Sequence, residues 1–237
     1  MLIKKEKIYE GKAKILYKTN DPDLLIQYFK DDATAFNAKK KGTIVNKGVM
    51  NNKMSSFIFT FLEKNGVKTH FKEHLNDREM VVRALSIIPV EVVVRNRVAG
   101  SLAKRLAMEE GTVLKQPILE FFYKSDPLDD PMISETAPVA FGWTTQAQID
   151  HVKKEVWKIN TLLTEFFNER GIDLIDYKLE FGKDSQGQLF LADEISPDGC
   201  RLWEKGTGEK LDKDRFRRDL GKIEESYEKV SKLICGS

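Results

Sequence analysis

A chain of 237 residues, 41% hydrophobic and 32% charged, is long enough to bury a sizeable core in one or two domains. With 15 Gly and 7 Pro it is neither collagen-like nor broadly disordered. Its 39 Lys and Arg nearly balance 37 Asp and Glu, for a formal net charge of +2, which speaks against a protein that coats nucleic acid and leaves room only for local basic patches.

The opening residues, Met1 to Lys14, carry too short an apolar stretch for a signal peptide, and no run of about 18 apolar residues follows that could cross a membrane. Residues 7–36 read as β structure. Ile8-Tyr9-Glu10 and Ile15-Leu16-Tyr17 flank the turn Gly11-Lys12-Ala13-Lys14, and the cluster Thr19 to Asp23 turns the chain into a third run, Leu24 to Phe29. From Val45 the apolar period becomes helical through Met50, Met54, Phe57, Ile58, Phe61 and Leu62, with Gly66 where a C′ glycine belongs. His70 and His74, without a third ligand nearby, read as an ordinary surface pair rather than a metal site. Met80 to Val82 and Val90 to Val94 are short buried strands. The break between them, Ser86 to Pro89, is the predicted hinge between a small domain, 1–85, and a larger one, 86–237.

Gly100-Ser101 opens a helix of Leu102, Leu106 and Met108. Thr145-Gln146-Ala147-Gln148 has the form of a capping box. It starts a long helix with Ile149, Val152, Val156, Ile159, Leu162, Leu163 and Phe166 on one stripe, stopped by Gly171. Strands over 172–182 and 188–195 flank the turn Lys183 to Gly187, and a last amphipathic helix runs from about Lys213 to Ile234. Elements clustered in this way predict an α+β fold rather than a doubly wound sheet. Cys200 and Cys235 have no zinc spacing and cannot build a disulfide framework, so a reducing cytoplasm is expected.

No P-loop, zinc-protease, nucleophile-elbow or C-x-x-C signature occurs, so the chemistry has to be read from other segments. At Gly11 a hairpin tip lets backbone N–H groups approach an anion, and Lys12 and Lys14 add charge suited to a phosphate. The strand Leu174 to Phe181 alternates, with Ile175, Tyr177, Leu179 and Phe181 on one face and Asp176, Lys178 and Glu180 on the other. With a hairpin loop at Lys183 to Gln186, Asp193 falls opposite Asp176. Carboxylates and a lysine on one face of apolar strands suit a Mg²⁺-nucleotide site. This register leaves Glu180 and Asp193 roughly 13 Å apart along the strand, so one shared ion requires a shifted register, a bulge or a second ion. Further back, Glu91, Val93, Arg95 and Arg97 share a strand face that leads to Ser101 at a helix N-terminus, the makings of a phosphate pocket. The segment Ser196 to Trp203 adds Asp198 and Arg201 on a turn. Taken singly, these segments are also what a solvated hairpin, a charge ladder, a capped helix and a plain turn look like.

Taken together, GKAK (11–14), IIPVEVVVRNRVAGS (87–101), LIDYKLEFG (174–182) and DEISPDGCRLW (193–203) resemble the SAICAR synthetase family in its bacterial single-function form. Phe141-Gly142-Trp143 and Asp212 to Arg217 also look like family segments, and the likeness runs in order along essentially the whole chain. Cys200 departs from it, standing where a small hydroxyl residue is expected.

The resemblance implies ATP-dependent ligation of L-aspartate to the carboxylate of CAIR (carboxyaminoimidazole ribotide) in purine biosynthesis. The products are SAICAR, ADP and phosphate, Mg²⁺ is required, and the simplest route is an acyl phosphate. It also implies an ATP-grasp-like arrangement, with a small β-rich N-terminal domain over a larger α+β domain and the nucleotide between. A cytoplasmic homodimer without nucleic-acid or membrane partners goes with it. Position by position, Lys12, Ala13 and Lys14 are implied at the ATP phosphates, Arg83 to Leu85 at the adenine, and Glu180 and Asp193 at Mg²⁺. Arg95, Ser101 and Arg201 are implied at the ribotide phosphate. Glu91, Asp176, Lys178 and Asp198 are implied at its imidazole and ribose, with Lys178 and Asp176 as the catalytic pair. Lys124 and Asp129-Asp130-Pro131 are the candidates near the aspartate and nucleotide cleft. Another ATP-dependent carboxylate–amine ligase would share the nucleotide residues without needing Arg95 paired with Arg201, and a nucleotide-binding regulator would have no use for those arginines.

Overall fold

Turn chemistry at Gly11 and Asp21 folds the first strands back on one another. In the computed structural model, which describes residues 1–35 and 40–236, β1 (Lys4–Glu10), β2 (Lys14–Thr19) and β3 (Leu24–Phe29) form an antiparallel meander. Phe36, at the end of the predicted β stretch, lies outside the described residues. A ribbon of β4 (Asp32–Ala35) and β5 (Lys40–Thr43) leads to α1 (Lys47–Lys64), which ends at the left-handed Gly66 (φ 73). β6 (Phe71–Asn76) and β7 (Glu79–Arg83) then complete a five-stranded sheet in the order β1-β2-β3-β7-β6.

The second sheet begins at β8 (Ser86–Arg97) and, after α2 (Gly100–Leu106), continues with β9 (Val113–Tyr123) and β10 (Met132–Ile133). The short α3 (Ala137–Ala140) precedes the long α4 (Gln146–Asn168), and β11 (Ile172–Lys183), β12 (Leu189–Ala192) and β13 (Cys200–Glu204) follow. Strand order is β10-β9-β8-β11-β12, with β13 also pairing to β11. Two helices close the chain, α5 (Asp214–Arg217) and α6 (Ile223–Cys235). A single apolar cluster runs through both sheets, including Phe29 of β3, Ile58 of α1, Val82 of β7, Val92 of β8, Leu179 of β11, Leu163 of α4 and Val230 of α6. The mixed helix-and-sheet expectation holds. So does the capping box, in which Thr145 Oγ1 accepts from the Gln148 N–H and Gln148 Oε1 accepts from the Thr145 N–H.

Five expectations change. Ser86 to Pro89 belong to β8, and the chain leaves one sheet for the other at Ala84–Leu85. Pro89 falls at an irregularity in the β8–β11 ladder, where a missing N–H is tolerated. Ile175 sits in a β-bulge opposite β13 and packs with Ala99 and Trp203, apart from the main core. In the β11–β12 hairpin Asp184 Oδ1 accepts from the N–H groups of Gln186 and Gln188, and the resulting longer loop pairs Glu180 with Ala192. Asp193 is thereby carried from beside Asp176 to beside Glu180, and the strand ends at Ala192. The predicted C-terminal helix is broken in two, because Asp219, Gly221 and Lys222 all take positive φ (53, 68 and 49). Likewise α2 stops at Leu106, since Ala107 turns left-handed and leaves Met108 outside.

Candidate active site

Where β12 ends, Asp193 adopts φ 67, a conformation asparagine and aspartate tolerate better than most residues. The turn swings its carboxylate over the charged face of β11. Lys178 Nζ is 3.1 Å from Asp193 Oδ2, 2.9 Å from Glu180 Oε1 and 3.0 Å from Glu91 Oε1 of β8. Lys14 reaches across from β2 to Asp193 and lies 3.2 Å from Glu194 Oε1, while Lys124 pairs with Glu180. Three lysines thus face four carboxylates. Burial pulls the Lys178 ammonium down, but Asp193, Glu180 and Glu91 override it and hold it well above its ordinary value. Burial likewise opposes the Asp193 carboxylate, and Lys14, Lys178 and Lys124 hold it well below the usual carboxylate range. Lys14, Lys178 and Asp193 are therefore charged at neutral pH.

These groups line a cavity of about 770 Å³. Gly11, Lys12, Ala13 and Lys14 of the first hairpin line it together with Arg83, Leu85, Glu91, Lys124, Lys178, Glu180 and Asp193. Asp198, Lys213 and Arg217 line it as well. Lys12 Nζ meets Asp126 Oδ1 at 2.7 Å, and the Arg83 guanidinium lies 4.8 Å from the centre of the Phe190 ring. Asp130 also lines the cavity, with its Oδ1 accepting from the Ser125 N–H. His70 corrects the surface-pair expectation, for it is 4% exposed and on the cavity wall, whereas His74 is exposed. Burial and the neighbouring Lys14 ammonium push the His70 imidazole down to about 3, so it is neutral. A smaller cavity of about 370 Å³, beside the α4 N-terminus, holds none of the predicted site residues.

Beside the main cavity lies a second charged network. Arg95, buried on β8, donates from Nε to Glu120 at 3.0 Å, from Nη1 to Asp176 at 2.7 Å and from Nη2 to Ser101 Oγ at 3.0 Å. Arg201 bonds Asp176 and Asp214, each at 2.9 Å. Arg217 joins Asp214 at 2.7 Å, and Arg105 pairs with Glu120. Four guanidinium groups alternate with three carboxylates, leaving positive charge in excess where an anion can be received. Beneath them burial and the neighbouring Asp214 push Asp212 up to about 7. Arg95, Ser101, Asp176 and Arg201 are therefore brought together, but off the cavity wall, which the network reaches through Arg217.

Reading the residues missed Glu120, Lys47, Lys213 and Tyr227. Glu120 is a lone carboxylate in the apolar run Ile118 to Phe122, and its pairing with Val93 puts it on the Arg95 face. Lys47 is a basic residue in the first turn of α1, against the helix dipole, and that local conflict was the available signal. Lys213 lies in the family-like segment Asp212 to Arg217, where its neighbours are also charged. Among the described residues no helix is long and apolar enough to cross a membrane, and no cluster of three or more His, Cys, Asp and Glu is arranged to hold a metal ion.

The SAICAR synthetase family model matches residues 7–234. A phosphoribosylaminoimidazole-succinocarboxamide synthase of Magnetococcus marinus is 58% identical over 233 residues, 98% of this chain and 96% of that one. The solved structure of the Ehrlichia chaffeensis phosphoribosylaminoimidazole-succinocarboxamide synthase matches with a TM-score of 0.96 at 50% identity, over 98% of this chain and 99% of that one. A SAICAR synthetase in complex with ADP matches with a TM-score of 0.94 at 45% identity, over 98% of each chain. Identity of this order along nearly the whole length, on one shared fold, makes the chain a member of the SAICAR synthetase family of ligases.

Proposed function

We propose that this chain joins the amine of L-aspartate to the carboxylate of CAIR, converting ATP to ADP and phosphate through an acyl phosphate. The observation that carries the reading is one juxtaposition. The Lys12–Lys14 hairpin faces Glu180 and Asp193 across a single cavity, and the Arg95–Asp176–Arg201 network adjoins it. In this reading residues 1–85 form an ATP-grasp-like lobe over 86–237, with the nucleotide between them. Lys12, Ala13 and Lys14 hold the phosphates, Arg83 to Leu85 line the adenine, and Lys124 lies near the reacting groups. The ADP complex of the relative supports nucleotide use. Arg95, Ser101 and Arg201 take the ribotide phosphate, while Glu91, Asp176, Lys178 and Asp198 face its ring and ribose. A homodimer in the cytoplasm completes the reading.

Glu180 and Asp193 are the residues that would hold Mg²⁺. Their oxygens already face the ammonium groups of Lys14, Lys124 and Lys178, so the donor set is built to meet cations, and two protein carboxylates with phosphate oxygens suit this ion. When bound, the ion neutralises charge on the transferring phosphoryl group. Lys14 and Lys178, kept cationic by Asp193, add to that neutralisation. A carboxylate is a poor acyl donor, so a CAIR carboxylate oxygen attacks the γ-phosphorus and forms a P–O bond as the bond to ADP breaks. The neutral aspartate amine then attacks the acyl carbon, phosphate leaves, and the nitrogen passes a proton to solvent to give the amide. The test is ADP formation with Mg²⁺, ATP, CAIR and each of several amino acids in turn. ADP is expected in step with SAICAR when both CAIR and L-aspartate are present. Equal ADP formation without CAIR, or with any amine, contradicts the reading.

A further inference from the structure

Asp198 is gripped from behind by two side chains that the reaction scheme leaves unused. Lys47, the first residue of α1, is fully buried and places Nζ 2.7 Å from Asp198 Oδ2. Tyr227, midway along α6 and equally buried, donates its hydroxyl to Asp198 Oδ1 at 2.7 Å. The backbone of Asp198 is fixed as well, its N–H donating to Ser196 Oγ, which in turn donates to Glu194 Oε2. On the cavity side Lys213 Nζ stands 3.6 Å from Oδ2.

Nothing local favours this arrangement. A lysine in the first turn of a helix opposes the dipole, and a buried ammonium is unfavourable without a carboxylate. A buried ion pair is in turn a poor source of stability compared with apolar residues of the same volume. A phenylalanine would fill the space of the Tyr227 ring, so the hydroxyl is accounted for by Asp198. Helices from opposite ends of the chain converge on the two oxygens of one carboxylate, and that carboxylate lines the cavity.

We infer that Lys47 and Tyr227 are positioning residues that lock the Asp198 carboxylate in one orientation toward the imidazole ribotide. The inference rests on the reading above that Asp198 faces CAIR. With a donor on each oxygen the carboxylate cannot rotate, and its remaining acceptor directions are presented to a substrate N–H or O–H. Burial opposes its charge, while Lys213 and Lys47 hold its carboxyl well below the usual range, so it arrives as an acceptor.

The experiment is steady-state kinetics, with CAIR and ATP varied separately, on Tyr227→Phe, Asp198→Asn and the double variant, with Lys47→Met as a second probe of the same carboxylate. Tyr227→Phe is expected to raise the KM for CAIR by about tenfold, the effect of losing one hydrogen bond to a charged group. The KM for ATP should stay close to the parent value, and Lys47→Met should show the same selectivity for CAIR. In the Asp198→Asn background Tyr227→Phe is expected to add nothing to the KM for CAIR, because its route of action is gone. Effects that multiply in the double variant overturn the inference, as does a Tyr227→Phe protein that loses stability with both KM values unchanged. If Asp198→Asn alone leaves the KM for CAIR unchanged, the placement of Asp198 at CAIR has failed and the inference falls with it. If Asp198→Asn raises that KM and Tyr227→Phe does not, the inference fails while the placement stands.

Discussion

The Lys178 ammonium among Glu91, Glu180 and Asp193 marks the point where single charges decide what the cavity can hold. Glu180→Gln and Asp193→Asn keep side-chain size but each deprives lysines of a counter-charge. Turnover is expected to fall by about 10²-fold or more, with a raised Mg²⁺ requirement at fixed ATP and an unchanged circular dichroism spectrum. An unaltered Mg²⁺ requirement in both variants contradicts the assignment. His70 carries a separate signature in pH. Its imidazole drops from an ordinary 6.5 to about 3 in the folded chain, through burial and Lys14, so between those values the unfolded chain binds the extra proton. Its contribution to stability is therefore fully present above about pH 6.5 and is lost as pH falls toward 3. Denaturant unfolding across this range should show His70→Gln flattening the slope, by a total on the order of a few kcal/mol. Parallel curves for the two proteins contradict it.

At the scale of elements, α2 docks through a glycine. Gly100 takes φ 55, and a β-carbon there would run into the Arg201 guanidinium, which Asp176 and Asp214 already hold in place. Gly100→Ala is therefore expected to displace Arg201 and raise the KM for CAIR by about tenfold or more. It should also cost about 1 kcal/mol in denaturant unfolding for the left-handed backbone. A KM for CAIR equal to the parent's removes Arg201 from the ribotide site. The elements legible in the sequence are those set over a few residues. The hairpin at Gly11, α1 with its terminal Gly66, and the capping box of α4 all follow from turn chemistry and period. The Ile175 bulge and the β11–β12 register were not legible, because β13 and the Asp184 loop impose them from outside the strand. Gly221 did offer a hint of the break before α6, but the left-handed Asp219 and Lys222 around it depend on tertiary context.

Across the whole molecule the two sheets share one core, and the C-terminal helix α6 packs on α1. Backbone bonds cross between the sheets too, with the His70 N–H donating to the Leu191 carbonyl at 2.7 Å and the Leu191 N–H to the Lys68 carbonyl at 2.9 Å. The site is assembled from β2, β8, β11, the Asp193 turn and the Asp198 turn, segments distant in sequence. Residue pattern alone could nominate each segment; only the resemblance joined them, and neither exposed the buried partners Glu120, Lys47 and Tyr227, which touch the site through other side chains. On the proposed reading, this cavity activates the CAIR carboxylate with the γ-phosphoryl group of ATP. That activation is tested most directly by turning over CAIR labelled with ¹⁸O in both carboxylate oxygens, together with ATP and L-aspartate, and taking mass spectra of the phosphate and SAICAR. One ¹⁸O is expected in the phosphate and the other in the new amide for every turnover. Phosphate released without label contradicts it.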